Sequence, residues 1–240
     1  MEDGRILLIS NSTQYGRGYL DHVEAELRDF LGASNSVLFV PFALFDRATY
    51  GAKARSRLAL MGLGCDVLDT AAAAPEGAIE RAEAFFVGGG NTFRLLKALQ
   101  DSGAAAAIAR RVRKGTPYIG SSAGSIVAGP SLKTTKDMPI VQPASFEALS
   151  LVEFQISPHY LDPDPSSTHM GETQEERILQ FLEENDAPVL GLREGGFVRV
   201  EEGQVVVKGE RPARIFRRGA VPVEVEPGAR LDYLLRRRSR

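Results

Sequence analysis

Cysteine is almost absent from this chain, and its scarcity limits the chemistry that the protein can use. Cys65 is the single cysteine among 240 residues, so the chain cannot form an internal disulfide or hold a metal with a cysteine cluster. No group of histidine, cysteine and carboxylate residues has the spacing of a metal site either. We therefore predict neither a metal nor an organic cofactor. Cys65 itself is expected to lie at the start of a core strand.

Long apolar runs and a strong net charge are also missing. No stretch approaches the length that a membrane span needs, and the first four residues lack the basic-then-apolar pattern of a signal peptide. The formal net charge of −2 argues against a nucleic-acid footprint over the whole surface, although residues 236–240 form a basic tail. We therefore expect a cytoplasmic protein that binds neither membranes nor nucleic acids.

The residues that are present indicate an ordinary α/β domain. The chain is 43% hydrophobic and 25% charged, and short apolar runs alternate with helical patterns up to residue 125. Such alternation predicts right-handed crossovers and a mostly parallel sheet with helices on both faces. We predict one domain over residues 1–240, with an α/β core at 1–196 and the basic tail at 236–240. Short alternating strands in residues 197–235 predict an antiparallel meander at one edge.

Residues 116–125 are the stretch that most suggests chemistry. They are predicted to form a short strand that breaks at Gly120 and restarts as a helix, which leaves the hydroxyl of Ser122 at the break. Gly120 and Gly124 flank this serine in a Gly-x-Ser-x-Gly pattern, and a strained strand-to-helix turn needs small residues there. The start of the helix would place unpaired N–H groups and a positive dipole end beside the hydroxyl. By itself, the pattern fits an ordinary turn as well as it fits a nucleophile.

Two further loops are expected near Ser122. Residues 10–13 are polar and follow a buried strand, and residues 88–92 begin with three glycines after another buried strand. Ligands bind beyond the carboxyl ends of the strands in this kind of sheet. The glycines would allow a backbone N–H to approach a substrate oxygen closely, although a flexible connection is the simpler alternative. We expect all three loops to converge.

A serine needs a base, and the chain offers only three histidines. His22 lies in the first predicted helix and is expected to be solvated. His169 lies in a stretch rich in Pro, Ser and Asp, which is typical of a surface loop. His159 follows a strand-like run that ends at Pro158, so its imidazole is expected at the same edge as Ser122.

The imidazole should in turn be oriented by a carboxylate, and two candidates remain. Asp137 would give the order Ser, Asp, His along the chain. Glu194 follows a short apolar strand and is followed by two glycines. Its position at the end of a strand favours Glu194, but spacing alone does not exclude Asp137.

At this point the residues resemble a known family. The matching segments are similar to peptidase E, the α-aspartyl dipeptidase family of serine peptidases, whose fold is similar to class I glutamine amidotransferase domains. They occur in the family's order and span nearly the whole chain. The segments are Ser10-Asn-Ser-Thr13, Val87-Gly-Gly-Gly-Asn-Thr-Phe93, Tyr118-Ile-Gly-Ser-Ser-Ala-Gly124, Thr134-Thr-Lys-Asp-Met-Pro-Ile140, Ser157-Pro-His159, Gly171-Glu-Thr173 and Gly191-Leu-Arg-Glu-Gly195.

The resemblance implies a serine dipeptidase that hydrolyses Asp-X dipeptides through an acyl-enzyme. It makes Ser122 the nucleophile, His159 the general acid and base, and Glu194 the orienting carboxylate. Asp137 would then shape the floor of the site or the pocket for the substrate amine. The resemblance also implies an oxyanion hole formed by backbone N–H groups near Gly89 or Gly90 and of Ala123.

An aspartyl substrate brings a carboxylate and an ammonium group, so its pocket should hold a cation and an anion. The predicted substrate-binding residues are Asn11, Asn91, Asp137, Glu172, Gln174, Arg177 and Arg193.

Two residues depart from the family pattern. Gln174 stands where the family has Arg, and Arg193 stands where it has Pro. Two alternatives therefore stay open. One is a related, cyanophycinase-like hydrolase with relaxed or different specificity for acidic or β-linked peptides, and the other is a non-catalytic peptide-binding homologue. In either case we expect a small peptide as the partner and a monomer or homodimer.

Overall fold

The computed structural model describes residues 4–69, 75–168 and 170–235. The predicted basic tail and His169 therefore lie outside the described residues. Within these ranges the chain folds as a mixed α/β domain with two sheets. The same residues contain no helix that combines the length and apolar character needed to cross a membrane.

The strands and helices follow one another in the alternating order that the sequence predicts. The strands are β1 (Ile6–Ile9), β2 (Ser36–Val40), β3 (Gly64–Val67), β4 (Phe85–Val87), β5 (Tyr118–Ser121), β6 (Gln155–Pro158), β7 (Val189–Leu192), β8 (Gly196–Glu201), β9 (Gln204–Gly209), β10 (Ala213–Phe216) and β11 (Val223–Val225). The α-helices are α1 (Glu24–Leu31), α2 (Arg47–Leu60), α3 (Pro75–Arg81), α4 (Thr92–Asp101), α5 (Ala104–Arg113), α6 (Ala123–Ala128) and α7 (Gln174–Glu184). Short 3-10 helices form at Asp21–Val23 and Asp232–Leu235.

The larger sheet has seven strands in the order β3-β2-β4-β5-β1-β8-β9. Its first five strands are parallel, and β8 and β9 extend it in antiparallel fashion. This confirms the predicted mostly parallel sheet. Ile9 of β1 pairs with Ser121 of β5, and Val87 of β4 pairs with Gly120. The carboxyl ends of these three strands therefore lie side by side, which brings the three predicted loops to one edge.

Alternating side chains of the sheet build two cores, because successive residues of a strand point to opposite faces. In β1, Ile6 and Leu8 lie in one core with residues of α4, α5 and α6. Leu7 and Ile9 lie in the other core with residues of α1 and α2. All four side chains are buried, and each contributes about 1.5–3 kcal/mol by leaving water. The predicted helices on both faces are confirmed.

A second, four-stranded sheet has the order β11-β10-β7-β6, with only β6 and β7 parallel. The predicted meander at one edge is therefore wrong in part. Only β8 and β9 extend the main sheet, whereas β10 pairs with β7, with Ile215 opposite Leu190. The alternating pattern indicates that a strand forms, but the choice of partner depends on which apolar face it covers.

Cys65 does not lie deep in the core as expected. It belongs to the edge strand β3, in which exposed and half-buried residues alternate, and it packs at the margin of a core. Partial burial still raises the pKa of its thiol to about 11. The thiol is therefore protonated at neutral pH.

Candidate active site

The turn between β5 and α6 holds Ser122 in a strained conformation. Its φ and ψ angles are 51° and −109°, in a region that residues with a side chain rarely adopt. Its backbone N–H donates to the carbonyl of Ile9 at 3.0 Å, and its own carbonyl accepts from Ser125 and Ile126 at 2.9 and 3.1 Å. The neighbouring strand and the first turn of the helix together maintain this strained geometry.

The two glycines around Ser122 are required by close packing. A Cβ atom on Gly120 would lie 2.5 Å from the carbonyl oxygen of Gly124, and one on Gly124 would overlap the carbonyl oxygen of Val87. Both obstacles are backbone atoms, which cannot rotate away. The Gly-x-Ser-x-Gly pattern thus reflects the contact of α6 with β4 and β5.

His159 follows β6 and brings its ring to the serine. Its Nε2 lies 3.0 Å from Ser122 Oγ. The residue has a φ angle of 51°, so its backbone is strained as well. Its N–H donates to Ser10 Oγ at 2.9 Å, and its carbonyl accepts from Lys136 Nζ at 3.1 Å and Gln174 Nε2 at 3.2 Å. These polar contacts hold the strained peptide in place.

Glu194 follows β7 and reaches the other side of the imidazole. Its Oε1 lies 2.8 Å from His159 Nδ1. The side chains of His159 and Glu194 are 41% and 52% exposed, so the site is open to water and to a substrate. The hydroxyl, the imidazole and this carboxylate form one continuous hydrogen-bonded chain.

Asp137, the alternative carboxylate, makes a different set of contacts. Its Oδ2 accepts from the N–H of Thr92 at 2.7 Å, from Thr92 Oγ1 at 2.6 Å and from Thr135 Oγ1 at 3.0 Å. Thr92 is the first residue of α4, where a negative charge is favourable. Glu194 is therefore the carboxylate that contacts His159, whereas Asp137 binds the N-terminus of α4.

The carboxyl end of β1 joins the three segments that carry these side chains. Ser10 Oγ donates to the carbonyl of Leu192 at 2.8 Å while it accepts from His159. Asn11 Oδ1 accepts from the N–H of Gly195 at 2.8 Å, next to Glu194. Ser10 and Asn11 are both buried. The sequence predicted a polar loop here but not these contacts, because both strand ends that Ser10 joins are far away along the chain.

The glycine-rich loop after β4 lies against Ser122. A Cβ atom on Gly89 would lie 3.0 Å from the Cβ of Ser122. The N–H groups of Gly89, Gly90 and Ala123 donate to no backbone carbonyl within the described part of the chain. Gly90 has a φ angle of 135°, which only glycine adopts readily.

The predicted substrate-binding amides are occupied by protein contacts. Asn11 Nδ2 donates to the carbonyl of Thr13 at 2.9 Å. Asn91 caps α4, since its Oδ1 accepts from the N–H of Arg94 at 3.0 Å. Gln174 Oε1 accepts from the N–H of Leu161 at 3.0 Å. These residues shape the site through its backbone.

The predicted charged residues differ in how far they are already paired. Arg193 Nη2 lies 2.6 Å from Asp162, and its Nη1 lies 2.9 Å from Glu224. Arg177 lies 3.6 Å from Glu172, and both are exposed. Arg193 is therefore neutralised by two carboxylates, whereas Arg177 has one looser partner.

Lys136 is a residue at the site that the sequence analysis passed over. Its Nζ donates to the carbonyl of Pro158 at 2.9 Å as well as to that of His159. Partial burial lowers the pKa of its ammonium group to about 8. Its position directly before Asp137 in a matching segment was the available signal.

His22 is not the solvated side chain that the sequence suggested. It lies in a 3-10 helix, and both nitrogens of its ring are buried. Burial lowers the pKa of the ring. Separately, no group of three or more His, Cys, Asp or Glu placed to hold a metal ion occurs among the residues that the structure describes.

Known proteins resemble this chain over almost its whole length. "Peptidase E" of Streptomyces coelicolor is 55% identical over 230 residues, covering 96% of this chain and 94% of that protein. "Probable alpha-aspartyl dipeptidase" of Drosophila melanogaster is 45% identical and covers 97% and 98%. The crystal structure of a peptidase from an acI-B1 Actinobacterium shares the fold, with a TM-score of 0.73 at 15% identity over 95% of this chain and 96% of the other. The sequence profile of Peptidase family S51 matches residues 6–208, and the chain belongs to that family.

Proposed function

We propose that this protein is a serine dipeptidase that hydrolyses dipeptides with an N-terminal aspartate. Membership of Peptidase family S51 supports a serine peptidase, and the names of the relatives support the aspartyl substrate. The observation that carries the proposal is the chain of contacts at Ser122. Its Oγ lies 3.0 Å from His159 Nε2, and Glu194 lies 2.8 Å from Nδ1.

In the first half of the reaction, Ser122 attacks the carbonyl carbon of the aspartyl residue. His159 Nε2 accepts the hydroxyl proton as the C–O bond forms, and Glu194 stabilises the resulting imidazolium from Nδ1. The negative charge on the substrate oxygen is met by the N–H group of Gly89 or Gly90 in the glycine-rich loop and by that of Ala123, the first residue of α6. One such donor typically contributes about 10²–10³ in kcat.

In the second half, the peptide bond breaks and the acyl-enzyme is hydrolysed. His159 gives its proton to the leaving amine, which departs as the second amino acid, and leaves the aspartyl group esterified to Ser122. A water molecule then loses a proton to His159 and attacks the ester carbonyl. Aspartate is released and the serine recovers its proton, so no other reactant is consumed.

The experiment that tests the nucleophile compares two adjacent serines. Ser122→Ala should lower kcat for Asp-Leu by about 10³-fold or more, because the residual rate comes only from binding and the oxyanion hole. It should also abolish labelling by a serine-directed phosphonate. Ser121→Ala removes a buried hydroxyl that has no hydrogen-bond partner among the described residues and should leave kcat unchanged. Undiminished hydrolysis by Ser122→Ala at an unchanged melting temperature would refute the assignment.

A second candidate is a hydrolase for other acidic or β-linked peptides. It is favoured by Gln174, which is uncharged where the family has a cation and which bonds to the backbone of His159. A panel of α-Asp-Leu, β-Asp-Leu and α-Glu-Leu separates the two, since the first proposal requires α-Asp-Leu to be the best substrate. A non-catalytic binding protein is disfavoured by the hydrogen-bonded geometry of the three side chains.

The same proposal includes the cellular location and the assembly of the protein. We place it in the cytoplasm as a monomer or homodimer, acting on small peptides without nucleic acid or membrane partners. We also propose that residues 197–235 have a structural role and take no part in the chemistry. Cell fractionation and light scattering of the purified protein check the first two points.

A further inference from the structure

Lys136 is a cation beside the catalytic centre whose partners are carbonyl groups. Its Nζ donates to the carbonyls of Pro158 and His159 at 2.9 and 3.1 Å. It forms an ion pair with no carboxylate among residues 4–69, 75–168 and 170–235. An ammonium group has three N–H donors, so one remains after these two bonds.

The other candidate cations already have anions of their own. Arg193 is held between Asp162 and Glu224, and its side chain is only 15% exposed. Arg177 is partnered by Glu172 on the surface. A substrate carboxylate would have to compete with these carboxylates for either arginine. At Lys136 it could bind the remaining N–H donor directly.

The surroundings of Lys136 make an additional anion favourable. Its charged form is disfavoured mainly by loss of water, and the charge of Arg177 acts in the same direction. The negative charges of Asp137 and Glu194 act in the opposite direction but lie beyond ion-pair contact. A partly desolvated cation without a directly bound carboxylate gains more from an incoming anion than a fully solvated one.

The position of Lys136 is suited to a substrate held at Ser122. The side chains of Lys136 and Gln174 end on the same carbonyl, that of His159, whose ring contacts the Ser122 hydroxyl. The next residue, Asp137, accepts a hydrogen bond from the N–H of Thr92 at the start of α4, which follows the glycine-rich loop in the chain. Part of the Lys136 side chain remains exposed to solvent, so a ligand in the open cleft can reach it.

We propose that Lys136 determines specificity by binding the side-chain carboxylate of the N-terminal aspartate of the substrate. Two of its N–H groups stay on the carbonyls beside His159, and the third donates to the carboxylate. In the family pattern an arginine stands at the start of α7, where this chain has Gln174. In this chain Lys136 supplies the positive charge instead. This inference rests on the proposed dipeptidase function.

The kinetic test compares Asp-Leu with Asn-Leu, which has nearly the same shape but no charge. Lys136→Met should lower kcat/KM for Asp-Leu by about a hundredfold and change that for Asn-Leu by less than about threefold, since only the charged substrate loses a partner. Lys136→Arg should retain most of the preference. Lys133→Met is the matched control, because Lys133 lies three residues earlier and its Nζ donates to Asn185 Oδ1 at 3.2 Å; the change should alter neither substrate. Equal losses on both substrates in Lys136→Met would overturn the proposal.

A binding measurement separates this inference from the catalytic one. Calorimetry with Ser122→Ala measures the affinities for free L-aspartate and L-asparagine without any turnover. Aspartate should bind more tightly, and adding Lys136→Met should remove the difference. If the difference survives in the double variant, or is absent from Ser122→Ala itself, Lys136 does not read the carboxylate. Failure of the wild type to hydrolyse Asp-Leu would instead count against the dipeptidase function alone.

Discussion

The hydroxyl of Ser10 accepts a hydrogen bond from the backbone N–H of His159 at 2.9 Å. The same hydroxyl donates to the carbonyl of Leu192, so one buried side chain at the end of β1 joins the end of β7 to the residue that follows β6. Both partners are backbone groups. Ser10 therefore acts on the position of the imidazole through the backbone of His159.

We expect Ser10→Ala to lower kcat by about tenfold to a hundredfold with little change in KM, because an unsatisfied buried N–H costs about 1–3 kcal/mol and the strained peptide then moves. Steady-state kinetics with Asp-Leu measure both constants. Ser121→Ala deletes an equally buried hydroxyl that no residue in the described part of the chain contacts by a hydrogen bond, and it serves as the control. Equal effects in the two variants, or a change confined to KM, would contradict a positioning role for Ser10.

The two candidate carboxylates should respond differently to loss of charge. Glu194→Gln keeps the shape but favours the wrong tautomer of His159, so kcat should fall by about 10²–10⁴ at an unchanged melting temperature. Asp137→Asn should lower kcat by less than about tenfold but reduce the free energy of unfolding by about 1–2 kcal/mol, since it weakens charge-assisted bonds to Thr92. Kinetics and urea unfolding of both variants measure this. The reverse pattern would make Asp137 the third member of the triad.

The close contact around Gly120 predicts a severe loss of stability. In Gly120→Ala the new Cβ would lie 2.5 Å from a backbone oxygen of Gly124, so we expect the free energy of unfolding to fall by roughly 3 kcal/mol or more, together with activity. Gly103→Ala is the comparison, because its φ angle is 71° but, apart from its chain neighbours, no described residue would lie within 4 Å of the new Cβ. It should cost about 1–2 kcal/mol from backbone strain alone. Equal unfolding midpoints for the two variants would show that β5 and α6 can separate.

The preference for aspartate should depend on pH through Lys136. The pKa of its ammonium group is lowered to about 8 by loss of water, with Arg177 acting in the same direction and Asp137 and Glu194 in the opposite one. Below that pH the group is charged and holds a carboxylate; above it the charge is lost. The ratio of kcat/KM for Asp-Leu to that for Asn-Leu should therefore decline as the pH rises through 8, but stay level in Lys136→Arg. A level ratio in the wild type would contradict this.

Much of the fold follows from local patterns that the sequence displays directly. The alternation of buried runs and helical patterns indicates the parallel sheet, because burial on two faces and a helical crossover leave distinct periodicities. The glycines around Ser122 indicate the strained turn, since no larger residue fits there. His159 could be singled out because Pro158 ends the strand before it. These inferences use features that lie within a few residues of each other.

The meeting of distant residues was decided by tertiary structure. The sequence left Asp137 and Glu194 as alternatives, and only the pairing of β6 with β7 in a second sheet brings Glu194 to 2.8 Å from His159. In the same way, the sequence offered Arg193 as a cation for the substrate, and only the tertiary structure shows that Asp162 and Glu224 already bind it. Lys136 lies at the site because its Nζ donates to the carbonyl of His159, which is 23 positions further along the chain. Sequence alone determined which residues can do chemistry. Packing between separate segments determined which of these residues face one another, because contacts between distant side chains depend on how whole helices and strands are stacked.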